Sequence, residues 1–214
     1  MDTGEITPLR LPWSKIQEIA EQFRKTYIHN SDIPVAIEQI VEATMGISVI
    51  PQKGLHDDCD MDGYMSNNMK WIYVDEDYYD FHKDKYYKRV RFTIAHEIGH
   101  VILHREIIDN IKFKSDEDWK KFRMSLKDDS NNWFESQAHE FAGRLLVPVD
   151  PLVVEYRKRR GIILNSNSGW NSKKIGEDQL FSIAASSIAP IFDVSDQVIE
   201  KRLIRENVKG FMGR

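Results

Sequence analysis

The chain has 214 residues, 41% hydrophobic and 30% charged, with a formal net charge of −4 at pH 7. That length suits one globular domain, or one domain with a small appendage, and no apolar run approaches the ~20 residues of a membrane span. A single cysteine, Cys59, excludes an intrachain disulfide; with no basic start followed by an apolar leader, the expected compartment is a reducing cytosol.

The charge is unevenly spread. Residues 151–214 carry 11 Lys+Arg against 7 Asp+Glu, a charge of +4, and residues 1–150 carry 19 against 27, a charge of −8. A mildly basic C-terminal part is compatible with nucleic-acid binding but does not establish it.

In chain order, Trp13 to about Thr26 reads as an amphipathic helix with Ile16, Ile19, Ala20 and Phe23 on one face. Asp32 can cap a second helix from Pro34 to Met45, stopped by Gly46. Ile47–Ile50 reads as a short strand ended by Pro51. Residues 52–63 form a polar loop. Its Asp58, Asp60, Asp62 and Gly63 match the opening of a calcium loop, but Met69 stands where the bidentate Glu belongs, so a solvated acidic loop is the better reading. Tyr64–Ser66 and Met69–Val74 read as strands around an Asn67-Asn68 turn.

Helix returns at about Lys85 and runs through His104. Ser115 with Asp118 can cap another helix to about Lys127. Asn131–Leu146 is strongly helical and ends at Pro148; Asp150-Pro151 opens a further helix to Arg160. Residues 161–178 are rich in Ser, Asn, Gly and Lys, and read as a polar linker. Two short helices follow, about Asp178–Phe192 and Ser195–Asn207. The expected architecture is α+β, a few early strands packed against several helices. The expected domains are 1–160, the linker 161–178, and a helical hairpin over 179–214.

The chemistry concentrates in HEIGHVILH, residues 96–104. His96, Glu97 and His100 spell H-E-x-x-H, a zinc-hydrolase pattern. On a helix the two histidines are ~6 Å apart in rise and about 40° apart in rotation, so both imidazoles can reach one ion. Glu97 is rotated about 100° away, beside the ion rather than on it. A carboxylate there can take a proton from an attacking water and hand it to a leaving amine. Phe92, Ala95, Gly99 and Leu103 lie on the histidine side and Ile94, Ile98, Val101 and Ile102 opposite, which marks a core helix. Gly99 costs about 1 kcal/mol of helix propensity, and close approach by another backbone is its expected compensation.

His104 lies ~12 Å along the axis from His96 and is set aside as a ligand; a buried hydrogen-bonding role is expected for it. The positions of the Gly and third His in the longer metzincin pattern hold Leu103 and Glu106, which excludes that class. The third ligand must come from elsewhere. Asp116, Glu117 and Asp118 fall in a first helical turn, where acids serve the helix dipole. On the 131–146 helix, Phe134, Ala138, Phe141, Ala142 and Leu145 form one apolar stripe. Glu135 borders it, and Glu140 points away, placed to pair with Arg144. His96, His100 and Glu135 are therefore the expected ligands. His139, one turn beyond Glu135, is either a plain edge histidine or a donor to the ligands or the transition state; its position leaves both open. The ion is expected to be Zn²⁺, although two His and one Glu accept other divalent ions such as Mn²⁺.

RFTIAHEIGHVILH followed by ESQAHEFAGRLLVP resembles the ImmA/IrrE family of metallopeptidases, over about residues 15–207. The resemblance implies a minimal zincin-like fold of the gluzincin kind. His96 and His100 match the family's ligand histidines, Glu97 its catalytic glutamate and Glu135 its third ligand. This chain departs from the family at His139, where Asn is frequent, and at Gln137, where many members have a second acid. The resemblance further implies a bacterial or phage protein that cleaves a helix-turn-helix repressor of a mobile element or stress response. The strand near Trp71 and Tyr73 is expected to bind substrate by strand addition if it lies at a sheet edge.

The final segment, IAPIFDVSDQVIEKRLIREN, has the look of a helix-turn-helix with Lys201, Arg202 and Arg205 on its second helix. DNA binding through it is the less favoured reading, and a packed hairpin the favoured one. The rivals to a protease are thus a DNA-binding or repressor-binding regulator on a zincin-like fold, and an interaction module with an idle metal site.

Overall fold

A computed structural model describes residues 10–28, 32–81, 83–111, 115–125, 128–165 and 176–206. Its contacts divide the chain into two compact units, one comprising residues 1–31 and 36–145 and the other 32–35 and 146–214. The first is α+β and holds the whole sheet.

Helix α1 (Trp13–Tyr27) buries Ile16, Ala20 and Phe23, the stripe its spacing predicts. Phe23 meets Phe141 edge-on with centroids 5.7 Å apart. Arg24 Nη1 donates to the Leu145 carbonyl at 2.6 Å, satisfying an acceptor at a helix C-terminus. The second helix begins later than Pro34: α2 spans Ile37–Gln39 and widens into a π turn over Ile40–Thr44. Gly46 then takes a positive φ of 66°, the left-handed stop expected of it.

Three strands follow, β1 (Ser48–Gln52), β2 (Gly63–Met65) and β3 (Trp71–Asp75), in the order β1-β3-β2. β1 pairs parallel to β3, with Val49 opposite Ile72, and β2 pairs antiparallel to it, with Tyr64 opposite Tyr73. β1 runs through Pro51 instead of ending before it. An edge strand tolerates proline because one side of its backbone needs no ladder bond. In β3, Ile72 and Val74 are buried while Trp71 is 38% exposed, the alternation of a sheet with one buried face.

The segment read as a loop contains a short helix, α3 (Leu55–Cys59), and a π turn at Asp77–Phe81 leads into α4 (Lys83–Ile111). Helix α5 (Asp116–Ser125) starts where the Ser115 hydroxyl accepts from the Asp118 amide at 3.2 Å. Helix α6 is Asp128–Leu146. Leu126 and Lys127, at the end of the helix expected after Ser115, lie outside the described residues, as does the 166–175 part of the expected linker.

The second unit is built from α7 (Val149–Asn165), α8 (Glu177–Phe192) and α9 (Asp196–Arg205). α7 packs on α8 and α8 on α9, so the helix opened by Asp150-Pro151 groups with the hairpin and not with the preceding chain. Tyr156 donates to Glu177 Oε1 at 2.5 Å, and burial together with that bond pushes its phenol pKa up. Asp193, at φ 51°, ends α8, and Ser195 stands at the N-cap of α9. Arg202 is buried, its Nε and Nη2 donating to the Val147 carbonyl at 3.2 and 3.1 Å. This base of the suggested recognition helix is thus consumed inside the unit and cannot reach a phosphate. No helix among the described residues is long and apolar enough to cross a membrane.

Candidate metal centre

Two helices of the first unit make the centre. α4 is apolar all round at this level: Ile94, Ala95 and Ile98 are fully buried. α6 presents Phe134, Ala138, Phe141 and Ala142, all fully buried. The small residues let the helix backbones touch. A Cβ on Gly99 would come within 3.1 Å of both the Ala138 Cα and its carbonyl oxygen. Close approach of α6 therefore accounts for the glycine, as its propensity cost suggested.

That approach brings Glu135 to the two histidines. His96 Nε2 lies 2.9 Å from His100 Nε2 and 3.0 Å from Glu135 Oε2, and His100 Nε2 lies 3.6 Å from Glu135 Oε1. Two ligands held at ~2.0 Å in tetrahedral directions stand ~3.3 Å from each other, so this triangle has the dimensions of a zinc half-shell. Its chemistry fits as well. Two imidazole nitrogens and a carboxylate converge, a donor set that suits Zn²⁺ and several other divalent ions once the histidines offer lone pairs. Neither Glu117 nor Asp118 joins a converging group of ligand atoms among the described residues.

Glu97 is 1% exposed, and its Oε2 accepts a 2.9 Å hydrogen bond from the Met65 backbone amide. The bond follows from the sheet. Asp75 N donates to Asp62 O and Ser66 N to Trp71 O, so the hydrogen-bonded positions of β2 alternate, and Gly63 and Met65 turn their backbone groups away from β3. The outward amide of Met65 meets the carboxylate of Glu97. Glu97 also belongs to a converging group with His96 and His100 whose ligand atoms all lie within 4.8 Å of one another.

His139 is exposed, and its ring stands edge-on to His96 with centroids 4.4 Å apart. Its Nδ1 sits 2.9 Å from the Glu135 carbonyl one turn back, which makes Nδ1 the protonated nitrogen in that arrangement. His104 is buried, with Nδ1 3.1 Å from His100 Nδ1. Glu140 and Arg144 pair at 2.7 Å as expected from their spacing, although both side chains are buried.

A cavity of about 500 Å³ opens over the centre, lined by His96, Glu97, Glu135 and His139 together with His56 and residues 59–63. The acidic loop is therefore a wall of this cavity and more than a solvated turn. Arg89 grips Asp62 with two bonds, at 2.7 and 2.5 Å, and its guanidinium lies 4.3 Å over the Tyr78 ring. The bond to Asp62 holds the Arg89 pKa above its ordinary value. Nothing in the sequence periodicity links Asp62 to Arg89; they are 27 residues apart on different elements.

Trp71 and Tyr73 do not meet the condition set for a substrate strand. β3 is the central strand and is bonded on both sides, so it has no edge to offer. The edge beside the centre belongs to β2, whose Gly63 lines the cavity. Gly63 is obligatory there, because a Cβ would sit 2.5 Å from the Tyr73 carbonyl oxygen and 2.7 Å from Thr93 Cγ2.

No curated protein matches the chain. A family model described as "Peptidase_M78: IrrE N-terminal-like domain" matches residues 81–203, more than half of the chain and the whole stretch that carries His96, Glu97, His100 and Glu135. The chain belongs to this family, the ImmA/IrrE metallopeptidases.

Proposed function

We propose that the chain is a zinc-dependent endopeptidase of the H-E-x-x-H type that cleaves a DNA-binding repressor. The observation that carries the reading is the convergence of His96, His100 and Glu135 to ligand spacing beside a buried carboxylate, Glu97, fixed by the Met65 amide. When bound at those three residues, the ion supplies Lewis acidity, acidifying water and polarising a peptide carbonyl. Glu97 accepts the proton of the attacking water and delivers it to the amine as the C–N bond breaks. Its orientation is preset by β2, so little reorganisation is needed at the moment of transfer.

The substrate lies extended along β2, where the outward backbone of Gly63 faces the cavity, and adds there as a strand. Phe92 and His139 flank the same cavity. The repressor as substrate rests on the family resemblance, and the burial of Arg202 takes one of the three bases of α9 away from any DNA-reading surface. The test is incubation of the zinc-loaded chain with a helix-turn-helix repressor encoded beside it. Discrete fragments are expected, lost on treatment with EDTA and restored by added zinc. An intact repressor, or cleavage that persists in EDTA, would defeat the proposal.

A further inference from the structure

The histidine set aside as a ligand has a use. We infer that His104 is a positioning residue for His100, accepting the Nδ1 proton of the imidazole tautomer that can hold an ion. The inference rests on the metal-site reading above.

His100 and His104 stand at i and i+4 on α4, and their Nδ1 atoms are 3.1 Å apart. One proton lies between two ring nitrogens at that distance. If His104 donates it, neutral His100 carries its own proton on Nε2, and that nitrogen cannot ligate. If His100 donates it, Nε2 of His100 keeps a lone pair. Nε2 is the atom turned towards His96 and Glu135, at 2.9 and 3.6 Å. The ligating state therefore has His100 protonated on Nδ1, with His104 accepting through its own Nδ1 and carrying its proton on Nε2. Ligand histidines are oriented in this manner by carboxylates or carbonyls. Here a neutral imidazole fills that place.

Packing holds the pair in register. Both rings stack on Phe134, His104 with centroids 4.0 Å apart at 20° and His100 at 4.5 Å and 25°. Phe134 is fully buried and directly precedes Glu135. One phenyl ring thus fixes both imidazoles relative to the carboxylate that completes the triangle. His104 is 2% exposed and His100 is fully buried, so water does not substitute readily for the lost acceptor.

Two substitutions separate the hydrogen bond from the packing. Asn and Leu have the same branched shape, and both abolish stacking on Phe134, but only Asn places an acceptor oxygen where Nδ1 stood. Zinc affinity is measured by competition with a chromophoric chelator. H104L should bind about 10–100-fold more weakly than wild type. H104N should recover most of that loss, and both should still take up one ion at saturation. In the zinc-loaded wild type, long-range ¹⁵N–¹H spectra should show His100 protonated on Nδ1 and His104 on Nε2. Equal losses in H104L and H104N, wild-type affinity in H104L, or a proton on His104 Nδ1 would each overturn the inference while leaving the metal centre standing. A wild-type chain that takes up no zinc would remove the metal centre itself, and the inference with it. The spectra need no variant, so they decide the matter even if H104L fails to fold.

Discussion

Replacing Glu97 with Gln is expected to abolish cleavage while leaving the metal in place. Gln has the same shape, and its amide oxygen can still accept from the Met65 amide, the bond that ties the side chain to β2 at 2.9 Å. The fold and the positions of His96 and His100 should therefore persist. What disappears is a group able to take a proton. General acid–base assistance contributes about 10²–10⁴ in rate, so cleavage of the repressor should fall by at least that factor, or about 3–5 kcal/mol of barrier. Zinc content and affinity should remain within a few-fold of wild type. Cleavage within about tenfold of wild type would place the base elsewhere, and His139, exposed on the same cavity, would be the next group to test.

Replacing Glu135 with Ala should have the opposite signature, with loss of the ion first and of activity as a consequence. Among the described residues of α6, Glu135 supplies the carboxylate that reaches both His96 and His100, at 3.0 and 3.6 Å. Removing it leaves two imidazoles. The loss in zinc affinity should exceed the ~10–100-fold typical when only a supporting partner is removed. Thermal stability gives an independent reading. An ion at 100 times its dissociation constant stabilises the folded state by about 2.7 kcal/mol, and a 100-fold weaker site at the same concentration gains only about 0.4 kcal/mol. The zinc-induced rise in Tm should therefore nearly vanish in the variant. A full rise in Tm would mean that Glu135 is not a ligand.

The two predictions together separate a residue proposed to move protons from one proposed to hold the ion, and the placement of both side chains was legible in sequence for a physical reason. α4 and α6 are long, and their apolar period is strong enough to fix which side chains share a face. That is why the spacing of His96 and His100, the border position of Glu135 and the close approach at Gly99 could be read one residue at a time. The sheet was different. Trp71–Val74 alternates as a strand must, but alternation says nothing about which neighbours a strand has, and β3 lies in the middle of the sheet. Pro51 misled in a related way, since its effect depends on whether its strand is an edge. The wall formed by His56 and residues 59–63 and its pairing with Arg89 are long-range facts that no local pattern encodes. The same holds for the amide of Met65, a backbone group whose direction is set by strand pairing and whose identity as a residue carries no signal. His104 falls between these cases: its distance from His96 excluded it as a ligand, while its bond to His100 followed from the same helical geometry.

The most direct test of the metal centre is zinc K-edge X-ray absorption on the loaded chain. Two imidazoles with only nitrogen and oxygen in the inner shell, at ~2.0–2.1 Å, are expected for His96, His100 and Glu135. The cavity also offers Cys59 and His139 as rival donors, and each would leave its own mark. A sulfur at ~2.3 Å would bring in Cys59, and a third imidazole in place of the carboxylate would bring in His139; either result contradicts the centre described above.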